Sequence, residues 1–184
     1  MKKALAFATV LFLSASLAFA QRTVSGTSVI DVSGSVPFTE RGFGFSATYG
    51  KYLLDGFWNT GIRAETMVKI SPELQNEYDL LHVFASYERD WRLIASWNRV
   101  FNIYGGGGVL LGTEVIDPRN LLKDGEKVAT SKASFMYGLC ANACAELYLM
   151  PYFSVILSVK PYMVGGSRYG SFYAFASAGL RFSF

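Results

Sequence analysis

Histidine occurs once and cysteine twice in this 184-residue sequence. That scarcity excludes a multi-bridge disulfide framework and gives little support to a metal centre. Charge is scarce as well, at 17% of residues against 51% hydrophobic and 16% aromatic, a balance foreign to a disordered chain. Neither sign dominates. The formal charge is +3, but Lys2 and Lys3 supply two of those units, and from Arg22 onward 15 basic residues face 14 acidic ones. A nucleic-acid surface built on bulk charge is therefore not expected.

Long apolar runs are missing after the opening segment. The longest later charge-free stretch, 100–113, has fourteen residues and holds four consecutive glycines. It is too short and too glycine-rich for a spanning helix, which needs about 20 apolar residues. The opening itself has the order of a secretory signal: Lys2 and Lys3, an apolar run over 4–13, then Ala18, Phe19 and Ala20. Residues 1–20 are expected to be cleaved, leaving 21–184 as a single domain.

What the chain has in quantity is period-two alternation, the signature of extended strands. At the C-terminal end Phe172, Ala174, Ala176, Ala178, Leu180, Phe182 and Phe184 occupy every even position, with Tyr173, Ser177, Gly179, Arg181 and Ser183 between them. Similar runs cover 28–36, 43–52, 58–70, 78–94, 101–116, 134–149 and 153–164. The third separates its faces most cleanly, setting Trp58, Thr60, Ile62, Ala64, Thr66, Val68 and Ile70 against Asn59, Gly61, Arg63, Glu65, Met67 and Lys69.

Eight such strands predict an all-β fold, an eight-stranded antiparallel transmembrane β-barrel with up-and-down meander connections. Connections near Pro37, Ser71, Asp117 and Gly165 read as longer than those near Asp55, Trp97 and Pro151. Outer-membrane barrels show this asymmetry, with long outer loops and short periplasmic turns, and an even strand count returns both termini to the periplasmic side.

The direction of each face follows from energetics. A charge facing lipid costs about 2–4 kcal/mol near the bilayer midplane, whereas a lumen charge can find a partner. Arg63, Glu65, Lys69, Glu114, Glu146, Lys160 and Arg181 all fall on the polar faces of their strands, so they are expected to form a lumen charge cluster. Eight strands enclose only enough room for side chains, which predicts a salt-bridged plug and no open pore. Tyr49, Trp58, Tyr137 and Phe184 lie near strand ends, where aromatic girdles meet the two interfaces.

Few residues suggest chemistry. In a strand Cys140 and Cys144 stand roughly 13 Å apart, at about 3.3 Å per residue, beyond the roughly 7 Å limit for a disulfide. Two free thiols acting as small interior filler are expected. His82 shares its face with Ser86 and Glu88, but such residues are common on polar strand faces, and a hydrogen-bonded lumen histidine is the simpler reading. Gly105, Gly106, Gly107 and Gly108 lack the Lys-Ser or Lys-Thr that completes a phosphate loop and mark instead a bend, bulge or close approach. Arg119, Lys123, Asp124, Glu126, Lys127 and Lys132 alternate in sign through a long loop that reads as solvated, although Leu121 and Leu122 leave partner binding open. No catalytic, cofactor or metal site is expected.

The close of the chain, with Leu180, Phe182 and Phe184 alternating to a terminal aromatic, resembles the C-terminal signature of bacterial outer-membrane barrels. That resemblance implies recognition by the barrel-assembly machinery and residence among outer-membrane lipids. From Ile103 onward the sequence also resembles the TraO family of conjugative transposon proteins. The shared features are the glycine-rich strand 104–112, the run Leu121, Leu122, Lys123, Asp124 and Gly125, the strand Ala145, Glu146, Leu147, Tyr148 and Leu149, then Gly165, Gly166 and Ser167, and Gly179, Leu180, Arg181 and Phe182. This resemblance implies a non-enzymatic part of a DNA-transfer apparatus in the cell envelope, in contact with other transfer proteins, and it assigns no catalytic residue. The alternatives are a lipid-modifying barrel enzyme, a porin-like or adhesion barrel, and a soluble lipocalin-like barrel with its alternation reversed.

Overall fold

Alternating residues pack well in a strand, but a single ribbon leaves half its backbone groups unpaired, and an apolar exterior forbids water from satisfying them. Closure solves this. The computed structural model describes residues 24–70, 77–96, 100–117, 122–123, 126–127, 133–167 and 170–184. Its strands are β1 (Ser28–Pro37), β2 (Arg41–Tyr52), β3 (Gly56–Ile70), β4 (Glu77–Ala95), β5 (Phe101–Asp117), β6 (Ser134–Met150), β7 (Phe153–Gly165) and β8 (Phe172–Ser183). Each pairs antiparallel with its sequence neighbours, and β1 pairs with β8 to close the barrel. At the seam Val29 faces Ser183 and Pro37 faces Phe175. Beyond it Ser28 and Phe184 exchange backbone hydrogen bonds of 3.1 and 2.9 Å.

Both described ends of the chain therefore lie at one rim, the terminal rim, with the turns 53–55 and 151–152, the end of β4 and the start of β5. At the first of these turns Leu53 N donates to Gly56 O at 2.9 Å. Arg89 Nη2 donates to Asp55 Oδ1 at 2.6 Å. That bond holds the exposed Asp55 carboxyl below the usual carboxylate range. At the other rim, the loop rim, β3, β5 and β7 end and β4, β6 and β8 begin. The first connection at this rim differs from the sequence expectation. Because pairing continues through Pro37 and resumes at Arg41, only 38–40 remain, as short as a turn of the terminal rim. Within 118–133 a small ladder pairs Leu122–Lys123 with Glu126–Lys127. Residues 1–20, the turn at Trp97 and most of the charged loop around Leu121, Arg119 and Lys132 lie outside the described residues.

The two faces sort as the alternation predicts. Ile62 is 64% exposed on the outer wall while its neighbour Arg63 is 5% exposed inside. Phe43, Phe45, Leu111, Leu139 and Leu157 also face outward. Outward aromatics gather near the terminal rim, where Trp58 stacks with Tyr87 at 6.2 Å and meets the edge of Tyr49 at 6.0 Å. Phe153 and Phe182 pack at 5.2 Å on the other side of the same rim. Phe135 and Tyr137, 6.4 Å apart, lie toward the loop rim. The β6–β7 ladder passes over Ala141 and Asn142, opposite Pro161 and Lys160. Pro161 has no N–H to give, which accounts for the gap.

Candidate functional site

The lumen is built from the inward residues of all eight strands, and its charges fall into three groups. The first lies near the terminal rim. Arg181 on β8 grips Asp31 on β1 through two parallel bonds, Nε to Oδ1 and Nη2 to Oδ2, both 2.7 Å. Its Nη1 reaches Glu146 Oε1 on β6 at 3.3 Å and Tyr52 Oη on β2 at 3.2 Å. Glu146 Oε1 also accepts from the Tyr52 hydroxyl and, at 2.8 Å, from Ser154 Oγ on β7. Tyr148 Oη donates to Tyr52 Oη at 2.6 Å. The Arg181 guanidinium lies 4.1 Å from the centroid of the Phe57 ring on β3, so one side chain touches or bonds groups from four other strands.

The second group lies at mid-height. Arg63 Nη2 sits 3.3 Å from Glu88 Oε1, and Arg63 Nε sits 3.5 Å from Glu65 Oε1. Lys160 Nζ donates to Glu88 Oε2 at 2.7 Å from the far side of the barrel. Tyr162 Oη donates to Glu65 Oε2 at 2.7 Å. The third group is toward the loop rim, where His82 Nε2 is 3.1 Å from Glu114 Oε2 and Nδ1 is 3.3 Å from Tyr162 Oη. Ser167, from the β7–β8 connection, donates to the same Glu114 oxygen at 2.7 Å. The His82 ring meets Tyr173 edge-on at 4.8 Å. These groups are separated and framed by buried apolar side chains: Met67, Leu80, Phe84, Leu110, Met136 and Phe175 above, Val29, Phe57, Tyr104 and Ile156 below.

Six of the seven residues in the sequence-derived charge cluster thus line the interior: Arg63, Glu65, Glu114, Glu146, Lys160 and Arg181. The backbone of Lys69 lies in β3 opposite Tyr78, and its side chain is outside the described residues. Leu180, Phe182 and Phe184 point outward at the terminal rim. Sequence reasoning left out Asp31, Asp90 and the ionic role of Glu88, and it missed the tyrosine hydroxyls of Tyr52, Tyr148 and Tyr162. Strand phase was the available signal for the first: Ile30 and Val32 face outward, so Asp31 must face inward.

Two of the four glycines acquire a reason from this geometry. Gly106 and Gly108 face inward on β5, directly beside Asp90 and Glu88 on β4. With no side chains there, Asp90 reaches across to Asn142 Nδ2 on β6 at 2.8 Å, and Glu88 reaches Lys160 on β7. A Cβ at Gly106 would stand 2.6 Å from Asp90 Cα, and one at Gly108 would stand 2.7 Å from Glu88 Cα. Gly106→Val is expected to lower the fraction of folded barrel, by about 1–3 kcal/mol of overpacking. The shift from heat-modifiable to fully unfolded gel migration reads this, and an unchanged fraction would contradict the close-approach account.

The chain also matches a known family, whose model for conjugative transposon protein TraO covers residues 21–184. The chain belongs to the TraO family. Among solved structures, this TraO chain is similar to Neisserial surface protein A, with TM-score 0.62 and 15% identity over 87% of this chain and 98% of that one. It is similar to the N-terminal barrel domain of Pseudomonas aeruginosa OprF, with TM-score 0.51 and 14% identity over 87% and 98% of the two chains. Ail, the attachment invasion locus protein of Yersinia pestis, gives TM-score 0.54 and 14% identity over 88% and 100%. At these identities the likeness is one of fold. Comparison with curated proteins finds no match.

Chemically, the TraO lumen is arranged to neutralise charge. Both His82 ring nitrogens are engaged, by Glu114 and Tyr162, leaving neither free to serve a nucleophile. Ser86 and Glu88, the candidate partners in sequence, are not its bonding partners. Cys140 and Cys144 are free, buried thiols on the inner face. Among the described residues no group of three or more His, Cys, Asp or Glu side chains is placed to hold a metal ion.

Proposed function

We propose that this TraO chain is a structural and interaction component of a conjugative transposon's DNA-transfer apparatus, embedded in the outer membrane and without enzymatic activity. The observation that carries this reading is the inversion of the usual soluble pattern: ion pairs are enclosed while Ile62, Leu111, Leu139 and Leu157 face outward. A soluble barrel around a ligand would need the opposite arrangement. In this reading residues 1–20 are removed on export, the terminal rim faces the periplasm, and Leu180, Phe182 and Phe184 present the final strand to the barrel-assembly machinery. The lumen charges and the aromatic layer beside them act as a plug, so the protein works through its surfaces and connections, with other transfer proteins as partners and no direct contact with nucleic acid. Membership of the TraO family supports the transfer role, and the fully engaged His82 supports the absence of catalysis.

Deletion of the coding sequence is expected to abolish conjugative transfer without slowing growth, with transfer restored by the wild-type chain supplied in trans. Normal transfer frequency in the deletion strain would overturn the apparatus assignment. Fractionation with inner-membrane proteins, or release by osmotic shock, would overturn the outer-membrane assignment separately.

A further inference from the structure

Beside the mid-height ion pairs is a small cavity of about 10 Å³, lined by Ser35, Ser46, Arg63, Glu65, Lys160, Phe175 and Ser177. Four of its polar neighbours are already engaged or aimed elsewhere. Ser46 Oγ bonds Ser33 Oγ at 2.7 Å, Ser177 Oγ bonds Ser158 Oγ at 2.6 Å, Lys160 Nζ bonds Glu88 at 2.7 Å, and Glu65 Oε2 accepts from Tyr162. Three buried atoms lining it have no hydrogen-bond partner among the described residues: Ser35 Oγ, Arg63 Nη1 and Glu65 Oε1, the last lying 3.5 Å from Arg63 Nε in their ion pair. Arg63 and Glu65 are 5% and 1% exposed.

The chemistry of these three atoms is complementary. Arg63 Nη1 only donates, Glu65 Oε1 only accepts, and a serine hydroxyl does both. A buried polar atom without a hydrogen bond is costly, so three around one cavity point to a molecule that hydrogen-bonds all of them. We propose that the cavity is a binding site for one ordered water, which accepts from Arg63 Nη1, donates to Glu65 Oε1 and bonds Ser35 Oγ. A halide would meet the Glu65 carboxylate, and a metal cation would meet the Arg63 guanidinium with the Lys160 ammonium close by. Water alone carries both donors and acceptors, and a cavity of about this size holds one. Gly44 belongs to the same design. A Cβ there would crowd Ser35 Oγ and stand 2.8 Å from Glu65 Cγ, so the glycine keeps both groups turned to the cavity.

The consequence is a link that the direct hydrogen bonds do not supply. Ser35 is on β1 and Arg63 and Glu65 are on β3, two strands away across β2. The water joins β1 to the path Glu65, Tyr162 and His82 that crosses the barrel to β7 and β4.

The test is a crystal structure of the full processed chain in detergent, at a resolution that reveals ordered water, with parallel crystals soaked in bromide and in rubidium. The expected result is one density peak within hydrogen-bond distance of all three atoms and no anomalous signal from either ion. A bromide or rubidium signal at the position, or no peak at all, overturns the proposal. Ser35→Ala, which removes one partner and changes little else, is expected to fold and to lose or displace the peak. A peak that stays in place in Ser35→Ala overturns the role of Ser35. Should that variant fail to assemble, the wild-type crystals alone decide.

Discussion

Arg181→Leu is expected to prevent stable assembly of the barrel. The substitution strands Asp31 and Glu146, both buried, without the cation that bonds Asp31 twice and Glu146 once. Breaking a buried ion pair by removing one partner costs about 3–5 kcal/mol, because the remaining charge is left in a poorly solvated place. That is a large part of a domain's usual margin of about 5–15 kcal/mol. Arg181→Lys is expected to fail too, since one ammonium cannot make the parallel pair to Asp31 and reach Tyr52 as well. Adding Asp31→Asn and Glu146→Gln to Arg181→Leu should recover much of the loss, because no charge is then stranded. Urea titration of the folded, heat-modifiable form in micelles measures all three, and an Arg181→Leu barrel as stable as its parent would refute this account of the lumen.

Ile62→Arg should be the most damaging single change on the outer wall. Ile62 sits between Ala47 on β2 and Ala85 on β4, in the middle of β3. It is flanked by small residues that cannot cover a guanidinium. In a bilayer an arginine there is expected to lose about 2–4 kcal/mol. On a water-exposed wall the same substitution would fall within about 0.5 kcal/mol of neutral. Leu54→Arg provides the control, because Leu54 is at least as exposed as Ile62 but lies in the 53–55 turn outside the wall. Unfolding from vesicles should separate the two variants clearly. If both are tolerated alike, the outer wall does not face hydrocarbon.

The strands were legible because their information is local. In β3 the step from Ile62 to Arg63 turns from outer wall to lumen, and period two carries that assignment along the whole run. Once the phase of each strand is known, every inward charge follows, Asp31 included. What phase cannot supply is which strands stand opposite each other across the lumen. Tyr162 and Glu65 lie 97 residues apart, and Tyr52 and Glu146 lie 94 apart. Those contacts depend on barrel tilt and stagger, properties of the closed sheet that no single run encodes. The same limit hid what approaches Gly106 and Gly108, since the acids they admit come from β4 and end on β6 and β7. The short first connection was misjudged for a local reason: Pro37 reads as a turn residue, yet its missing N–H is tolerated at the last position of β1, where it still pairs with Phe175.

The seam between β1 and β8 also sets an order of events. Asp31 is among the first barrel residues to be synthesised and Arg181 among the last, 150 positions later. Until the C-terminal strand arrives, the leading strand offers an open edge and an unmatched acid, so partial chains have no resting state of their own and are exposed to aggregation. Closure is therefore expected only once the final strand is present. A chain shortened by its final strand is therefore expected to be cleared by proteolysis instead of accumulating.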